Sequence, residues 1–124
     1  INTAKKIHNG IDLKLKLGNI NVIRDWGWAP EYVYAMWLMT QQDIPDDYVV
    51  ATGKSHSLKT FVEKVFLRFG LKFSQHVHIE KKLFRKNEII NSNADPRKAF
   101  KKLNWKALTT FDQLIDKLIA DDKN

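Results

Sequence analysis

Residues 48–79, YVVATGKSHSLKTFVEKVFLRFGLKFSQHVHI, decide the fold because they alternate between extended and helical patterns. The short apolar run 48–51 predicts a strand. Ser57 is a good N-cap for a helix whose apolar residues recur every three or four positions, and this helix should stop at Gly70. A second strand is predicted at 75–79. A strand, helix, strand unit normally has parallel strands joined by a right-handed crossover, so this stretch predicts an α/β fold.

The residues before this unit add two helices and extended chain. Residues 1–7 have helical spacing, and the leucines within 13–17 alternate with lysines, which predicts a half-buried strand. An extended, aromatic segment covers 22–28. A helix with a broad apolar face then begins at Pro30 and ends at residue 41 or 42.

The residues after the unit begin with an irregular, polar segment at 83–94. Asp95 and Pro96 start a helix that runs to about Leu103, and Thr110 caps a last helix. The sequence therefore predicts a single α/β domain over residues 1–124, with about five helices and short strands that include one parallel pair.

Size and composition indicate a globular chain. A chain of 124 residues with 44% hydrophobic residues can bury roughly two thirds of the surface that its unfolded form exposes. It has no cysteine, which excludes disulfides and cysteine chemistry and fits a reducing compartment. No apolar run approaches the roughly 20 residues that span a bilayer, and the first residues do not resemble a secretion signal. We therefore expect a soluble, cytoplasmic protein without a membrane partner.

The net charge of +7 favours a polyanionic partner: nucleic acid, anionic lipid or a small phosphorylated ligand. Paired cations at 5–6, 81–82, 85–86, 97–98 and 101–102 could contact a nucleic-acid backbone. Solvated helix faces explain the same lysines, and no nucleic-acid-reading fold signature accompanies them. Composition alone leaves these alternatives open, although nothing here favours nucleic acid.

Motifs for catalysis or cofactor binding are missing from the sequence. His76 and His78 should share one face of a strand, but no third ligand stands at a telling spacing, so we expect no metal site. Neither form of glycine-rich phosphate loop occurs, and there is no G-x-S-x-G elbow. We therefore expect no cofactor site in this chain.

Two groups of residues are candidates for ligand binding. Arg24 to Trp28 places a cation, a carboxylate and two indoles within five residues. Such an arginine can bind a diphosphate in a bidentate way beside a stacking aromatic, or it can form a structural pair with Asp25 over buried tryptophans. Arg85 and Glu88 could bind a diphosphate and a sugar hydroxyl, or form a surface ion pair.

Longer stretches resemble a known family. The segments GNI, RDWG, YV, AMWLM and QQDIP, within residues 18–45, are similar in order and spacing to a continuous stretch of the GDP-mannose 4,6-dehydratases. The similarity continues through YVVATG at 48–53, HSL at 56–58, FVEK at 61–64, DP at 95–96 and KLNWK at 102–106. The resemblance covers nearly the whole chain.

The resemblance implies an extended short-chain dehydrogenase fold with two halves. In this family an N-terminal Rossmann half binds NADP and carries a Thr/Ser, Tyr-x-x-x-Lys and Glu catalytic set. Bound NADP takes a hydride from C4 of the mannose, water is lost across C5 and C6, and the hydride returns at C6 to give GDP-4-dehydro-6-deoxy-mannose. This chain has no Tyr-x-x-x-Lys. We therefore expect it to be the C-terminal lobe, a fragment without the Rossmann half and without activity of its own.

The resemblance also assigns binding roles to three residues. Arg24 and Arg85 would neutralise the diphosphate of GDP-mannose or GDP, and Glu88 would accept a hydrogen bond from a ribose or sugar hydroxyl. The chain departs from the family at residues 86–87, where Lys-Asn replaces Pro-Ala and removes a proline that would restrict the loop. Glu31 replaces an Asp, Trp28 replaces a His or Tyr, and Asn93-Ala94 replaces a pair such as Leu-Gly.

A lobe of this kind should expose the apolar face that meets its other half, and such faces drive self-association. We expect a homo-oligomer, most simply a twofold dimer, through the N-terminal helix or residues 22–28. The alternative is a truncated, stand-alone structural or binding module with a basic surface, including one for nucleic acid.

Overall fold

The computed structural model describes residues 1–122, which form six α-helices, four short strands and one 3₁₀ turn. The helices are α1 (Asn2–His8), α2 (Ala29–Thr40), α3 (Leu58–Arg68), α4 (Phe73–His76), α5 (Arg97–Leu103) and α6 (Phe111–Asp121). The strands are β1 (Leu15–Leu17), β2 (Ile23–Asp25), β3 (Ser55–Ser57) and β4 (Val77–Ile79), and the 3₁₀ turn is Lys81–Leu83. The predicted α/β class is confirmed. Residues 123 and 124 of the predicted domain lie outside the described residues.

The strands form two separate pairs. β1 lies parallel to β4, with Leu15 opposite Val77, and β2 lies antiparallel to β3, with Arg24 opposite His56. The predicted pairing of 48–51 with 75–79 is therefore wrong, although a parallel pair is present.

The reason lies in segment 48–51, which is not a strand. Its Tyr48 and Val50 pack against the cluster that contains Ala35. An apolar, β-prone run is suited to a half-buried surface, and packing against a helix satisfies that preference without a hydrogen-bonded ladder. The neighbouring prediction also changes, because residues 73–76 form the extra helix α4 and β4 begins only at Val77.

The predicted helix ends are confirmed. The Ser57 hydroxyl accepts a hydrogen bond from the backbone N–H of Thr60, and α3 ends before Gly70, whose φ is +69°. Thr110 and Gln113 form a reciprocal capping box at the start of α6. These signals are local, so a sequence pattern suffices to find them.

Two hydrophobic clusters hold the lobe together. The first joins α1, α3 and α6 through Ala4, Val65, Phe66 and Ile115. The second joins α2, α5 and the following loop through residues that include Ala35, Ala99, Leu103 and Trp105. Trp26, directly after β2, stacks on Phe61 beside the first cluster, and Tyr32 of α2 packs edge-on to Trp105 of the second.

Some apolar residues on the helices are exposed. Phe100 of α5 is 53% exposed, and only Ala35 is fully buried on α2. None of the helices within residues 1–122 has the length and apolar character that a membrane crossing requires.

Candidate functional site

Arg24 lies in β2, beside the irregular segment that carries the other two predicted binding residues. The Ile23 N–H donates to the Ile90 carbonyl at 2.7 Å, and the Ser92 N–H donates to the Ile23 carbonyl at 3.1 Å. The half-buried Arg24 guanidinium donates through Nη1 to the carbonyls of Ile23 at 2.7 Å and Ile90 at 3.5 Å. The structure therefore holds segment 90–92 against the strand that bears Arg24.

Arg85 and Glu88 precede this contact by a few residues. The Arg85 side chain is exposed, and Glu88 is half-buried. Five residues of extended chain span at most about 17 Å, so the Arg85 backbone lies within that distance of the Ile90 backbone. No Arg85–Glu88 ion pair forms among residues 1–122, so the surface-pair alternative is not observed.

Asp25 is a structural residue and is not the partner of Arg24. Its Oδ1 accepts from the backbone N–H of Thr52 at 2.9 Å and from the Thr52 hydroxyl at 2.8 Å. Its Oδ2 accepts from the Gly53 N–H at 2.8 Å, and the Tyr32 hydroxyl donates to Oδ1 at 3.4 Å. The interpretation of residues 24–25 as an internal Arg–Asp pair is therefore wrong.

Trp26 is used for packing. Its ring stacks on Phe61 at a centroid distance of 4.7 Å, and its indole N–H donates to the His56 carbonyl at 3.1 Å. A buried indole contributes apolar area through its ring, and its Nε1–H usually finds a hydrogen-bond acceptor. Trp28 also has an internal partner, because Lys117 Nζ lies 5.0 Å from its ring centroid. Each indole therefore has an internal packing partner.

Position 27 must be glycine because the Tyr32 side chain occupies the space that a Cβ would need. A Cβ at this position would overlap the Tyr32 ring and hydroxyl. Burial, and then the charge of Asp25, raise the pKa of Tyr32 to about 12. Of the four residues in the RDWG stretch, Asp25, Trp26 and Gly27 therefore serve the fold, and Arg24 donates to two backbone carbonyls.

Glu31 fixes the loop before α6. Its Oε1 accepts from the Thr109 N–H at 3.0 Å and from the Thr109 hydroxyl at 2.8 Å, and the Trp105 indole N–H donates to the Glu31 carbonyl at 3.0 Å. Sequence reasoning missed this role, as it missed Thr52 and Tyr32 around Asp25. Partners this distant in sequence leave no spacing signal, although Thr52 and Tyr32 lie in stretches that resemble the family.

Two clefts lie away from the predicted binding residues. One, of about 380 Å³, is lined by Trp26, His56, Phe111 and loop residues. Another, of about 200 Å³, is mostly apolar and lies between Ala51 and Phe100. Neither cleft is lined by any of the three predicted residues, Arg24, Arg85 or Glu88.

The histidine motif does not form the predicted arrangement. His76 ends α4 whereas His78 lies in β4, so the two are not on one strand face. Within the part of the chain that the structure describes, no three candidate metal ligands lie together.

A dinucleotide phosphate site needs a glycine-rich turn between a strand and a helix N-terminus. The glycines in a left-handed conformation are Gly10 and Gly70, which follow α1 and α3, and Gly53, which precedes β3. Gly27 lies in the strand-to-helix turn between β2 and α2, where its nearest neighbour is the Tyr32 side chain.

Comparison with known proteins identifies the family. A family model described as GDP-mannose 4,6 dehydratase matches residues 1–118. GDP-mannose 4,6 dehydratase 1 of Arabidopsis thaliana is 46% identical over 94% of this chain and 32% of its own length. GDP-mannose 4,6 dehydratase of Homo sapiens is 39% identical over 97% of this chain and 37% of its own length. The chain thus spans about a third of the length of these relatives.

Solved structures show the same fold at low identity. RMD from Pseudomonas aeruginosa, complexed with NADPH, has a TM-score of 0.83 at 16% identity, covering 95% of this chain and 39% of its own. dTDP-glucose 4,6-dehydratase from Bacillus anthracis, in complex with NAD, has a TM-score of 0.80 at 17% identity, covering 98% of this chain and 38% of its own. The chain therefore has the fold of part of each of these two proteins, and the family match together with its 39–46% identical relatives shows that this chain belongs to the GDP-mannose 4,6-dehydratase family.

Proposed function

We propose that this chain is the GDP-sugar-binding part of a GDP-mannose 4,6-dehydratase and is catalytically inactive alone. The family match and the relatives' printed names support the substrate class. The sequence carries no Tyr-x-x-x-Lys and neither form of glycine-rich phosphate loop. Its contribution is to bind and orient the nucleotide sugar.

One observation carries the proposal: the irregular segment after β4 is bonded to β2 at the residue before Arg24. The hydrogen bonds of Ile23 with Ile90 and Ser92 hold residues 90–92 beside β2, and Arg85 precedes Ile90 by five residues, which supports a shared site for the two arginines. Two guanidinium groups at such a junction match the charge of a diphosphate, and each can donate two parallel hydrogen bonds to phosphate oxygens.

The two arginines differ in how well they are held before a diphosphate binds. Arg24 is already held in place, whereas Arg85 must be ordered by the ligand. Two carbonyls hold Arg24 Nη1, so little side-chain entropy is lost when it meets an anion. Arg85 is exposed, on a segment where Lys86-Asn87 stands in place of a proline-containing pair. Glu88, three residues on, accepts from a ribose or sugar hydroxyl.

Calorimetric titration tests the proposal. We expect GDP-mannose and GDP to bind at moderate salt, UDP-glucose to bind at least tenfold more weakly, and Arg24→Ala to lose at least tenfold in affinity, which is about 1.4 kcal/mol. Arg97→Ala is the matched control, because Arg97 also lies on the surface but pairs with Asp95 at 2.6 Å. Equal losses in both variants would mean that general positive charge, rather than Arg24, binds the ligand.

Inactivity is tested separately. The purified chain should give no 4-dehydro sugar from GDP-mannose, with or without added NADP. Turnover above background by the pure chain would contradict the proposal that it binds the nucleotide sugar but is inactive alone.

Salt separates this proposal from a merely basic surface. A nucleic-acid or general polyanion binder loses affinity steeply with salt, with a slope that counts its phosphate contacts. Selective GDP binding supports the proposed diphosphate site if the slope of log affinity against log salt corresponds to no more than about two phosphate contacts. Equal binding of GDP, UDP-glucose and single-stranded DNA would instead support the alternative of a basic binding module.

A further inference from the structure

Residues 84–89, which we call the arginine loop, are held at their start by the chain around the end of β1. The Glu80 N–H donates to the Leu17 carbonyl at 2.8 Å, directly after the parallel pairing of β1 with β4. A Cβ at Gly18 would lie 2.6 Å from the Leu83 carbonyl oxygen, a backbone atom that cannot simply rotate away. The two backbones therefore approach as closely as they do because position 18 has no side chain.

Glu80 adds two ion pairs at the same place. Its Oε1 lies 3.1 Å from Lys16 Nζ, and its Oε2 lies 3.0 Å from Lys82 Nζ. The Glu80 side chain is only 11% exposed, so solvent screens these pairs less than it screens a fully exposed pair. One carboxylate thus joins β1 to the 3₁₀ turn that leads into the arginine loop.

The far end of the arginine loop is held by β2 and β3. The Ile23 N–H donates to the Ile90 carbonyl at 2.7 Å, and the Ser92 N–H donates to the Ile23 carbonyl at 3.1 Å. The Ser55 hydroxyl of β3 donates to the Ser92 carbonyl at 3.3 Å. The arginine loop therefore spans a short distance between two fixed points, and a short loop with fixed ends samples fewer conformations than a free segment.

The arginine loop contains a turn at Lys86 and Asn87, with Arg85 before it and Glu88 after it. The first and last Cα atoms of a four-residue turn lie within about 7 Å of each other. The two predicted binding side chains therefore start from neighbouring points of one turn. Lys86 does not restrict the backbone as a proline would, so the restriction has to come from the two ends of the loop.

We propose that Gly18 and Glu80 are positioning residues for the proposed GDP site. They fix the start of the arginine loop so that Arg85 reaches the same diphosphate as Arg24. Both act through the backbone at Leu83, and a loop that is held before binding loses less entropy when the ligand arrives. This inference rests on the proposed function, because it gives the loop the task of presenting Arg85 to that ligand.

Calorimetric titration with GDP across a double-mutant cycle is the primary test. Gly18→Ala should weaken GDP binding about fivefold, because the loop must move away from β1 to admit the methyl group. The same substitution should cost almost nothing further in Arg85→Ala but the full factor in Arg24→Ala. Gly10→Ala is the matched control, because no atom lies within 4 Å of the added Cβ, and it should leave the affinity unchanged. Equal losses from Gly18→Ala in all three backgrounds would indicate general damage to the fold and overturn the inference.

Glu80→Gln tests the same anchor without added bulk, so it remains informative if Gly18→Ala does not fold. It keeps the shape of the side chain but removes both ion pairs. We expect GDP binding to weaken about threefold when Arg85 is present and to stay unchanged in Arg85→Ala. Glu63→Gln is the matched control, because it makes the same charge change and also removes a lysine partner, Lys59 at 3.8 Å on α3. A loss in Glu80→Gln no larger than that in Glu63→Gln would overturn the inference.

The outcomes separate this inference from the proposed function. GDP binding that depends on Arg24 and Arg85 but not on Gly18 or Glu80 would overturn the inference alone. Unchanged binding in Arg85→Ala would also overturn it, while leaving the role of Arg24 intact. No GDP binding by the unaltered chain would overturn the proposed function, and this inference with it.

Discussion

Asp25 and Thr52 are joined by two hydrogen bonds to one carboxylate oxygen, from the Thr52 backbone N–H at 2.9 Å and from its hydroxyl at 2.8 Å. The second oxygen of Asp25 accepts from the next residue, Gly53, at 2.8 Å. A single carboxylate thus ties the end of β2 to the turn before β3. This places Arg24, the adjacent residue, in a strand with a defined register.

Replacing this carboxylate should destabilise the lobe. Asp25→Ala removes three short hydrogen bonds to a charged group and leaves the Thr52 and Gly53 donors unpaired, so we expect a loss of about 2–4 kcal/mol. Urea unfolding followed by tryptophan fluorescence measures it. Asp43→Ala, at an exposed loop position, is the control and should change stability by less than about 0.5 kcal/mol. A loss at Asp25 no larger than the control would show that Asp25 does not hold the turn.

Gly27 should tolerate no side chain while Tyr32 is present. Gly27→Ala places a methyl group in the space of the Tyr32 ring, and we expect a loss of about 2–4 kcal/mol. Gly10→Ala is the contrast, because Gly10 has a φ of +85° but open space around it, so only strain of about 1 kcal/mol arises. The stability lost in the double variant Gly27→Ala/Tyr32→Ala should be smaller than the sum of the losses in the single variants Gly27→Ala and Tyr32→Ala. Additive losses would mean that the overlap is not the cause.

Ionisation of Tyr32 should lower the stability of the lobe at alkaline pH. Its pKa is raised from 10.0 to about 12, first by burial and then by the Asp25 charge. The stability that the neutral phenol provides is fully present below pH 10, the pKa of the unfolded state, and is lost as the pH rises toward 12. The free energy of unfolding should therefore fall between pH 10 and 12, and fall less in Tyr32→Phe. Parallel pH profiles for the two proteins would contradict this.

Asp112 should make the contact between α3 and α6 sensitive to salt and acid. Its carboxylate lies 2.8 Å from Lys64 Nζ and 3.0 Å from Arg68 Nη2. The Lys64 hydrogen bond, and then that of Arg68, lower the pKa of Asp112 below 3.8. The stabilisation is present above the unfolded pKa and is lost as the pH falls through the folded one.

At neutral pH, Asp112→Asn should cost about 0.5–1 kcal/mol, because these groups are largely exposed. The cost should shrink in high salt and below the folded pKa. Asp12→Asn, at an exposed position before β1, is the control for general charge removal. An equal effect of both substitutions would show that the network contributes nothing beyond net charge.

The sequence by itself determined the features that depend on near neighbours. It determined the α/β class, the helix ends at Ser57, Gly70 and Thr110, and the family. Helix caps, hydrophobic periodicity and short motifs each depend on residues that are close together in the sequence. It also singled out Arg24, because a cation among aromatic residues is conspicuous in any fold.

Tertiary structure decided which segments meet. β1 rather than 48–51 pairs with β4, since strand propensity fixes extension but not a partner. Asp25 bonds to Thr52 rather than to the adjacent Arg24, because a carboxylate gains more from the two N–H groups and hydroxyl that the turn directs at it. Whether Trp37 lies inside or outside could not be predicted from an all-apolar helix, because burial on such a helix depends on what packs against it.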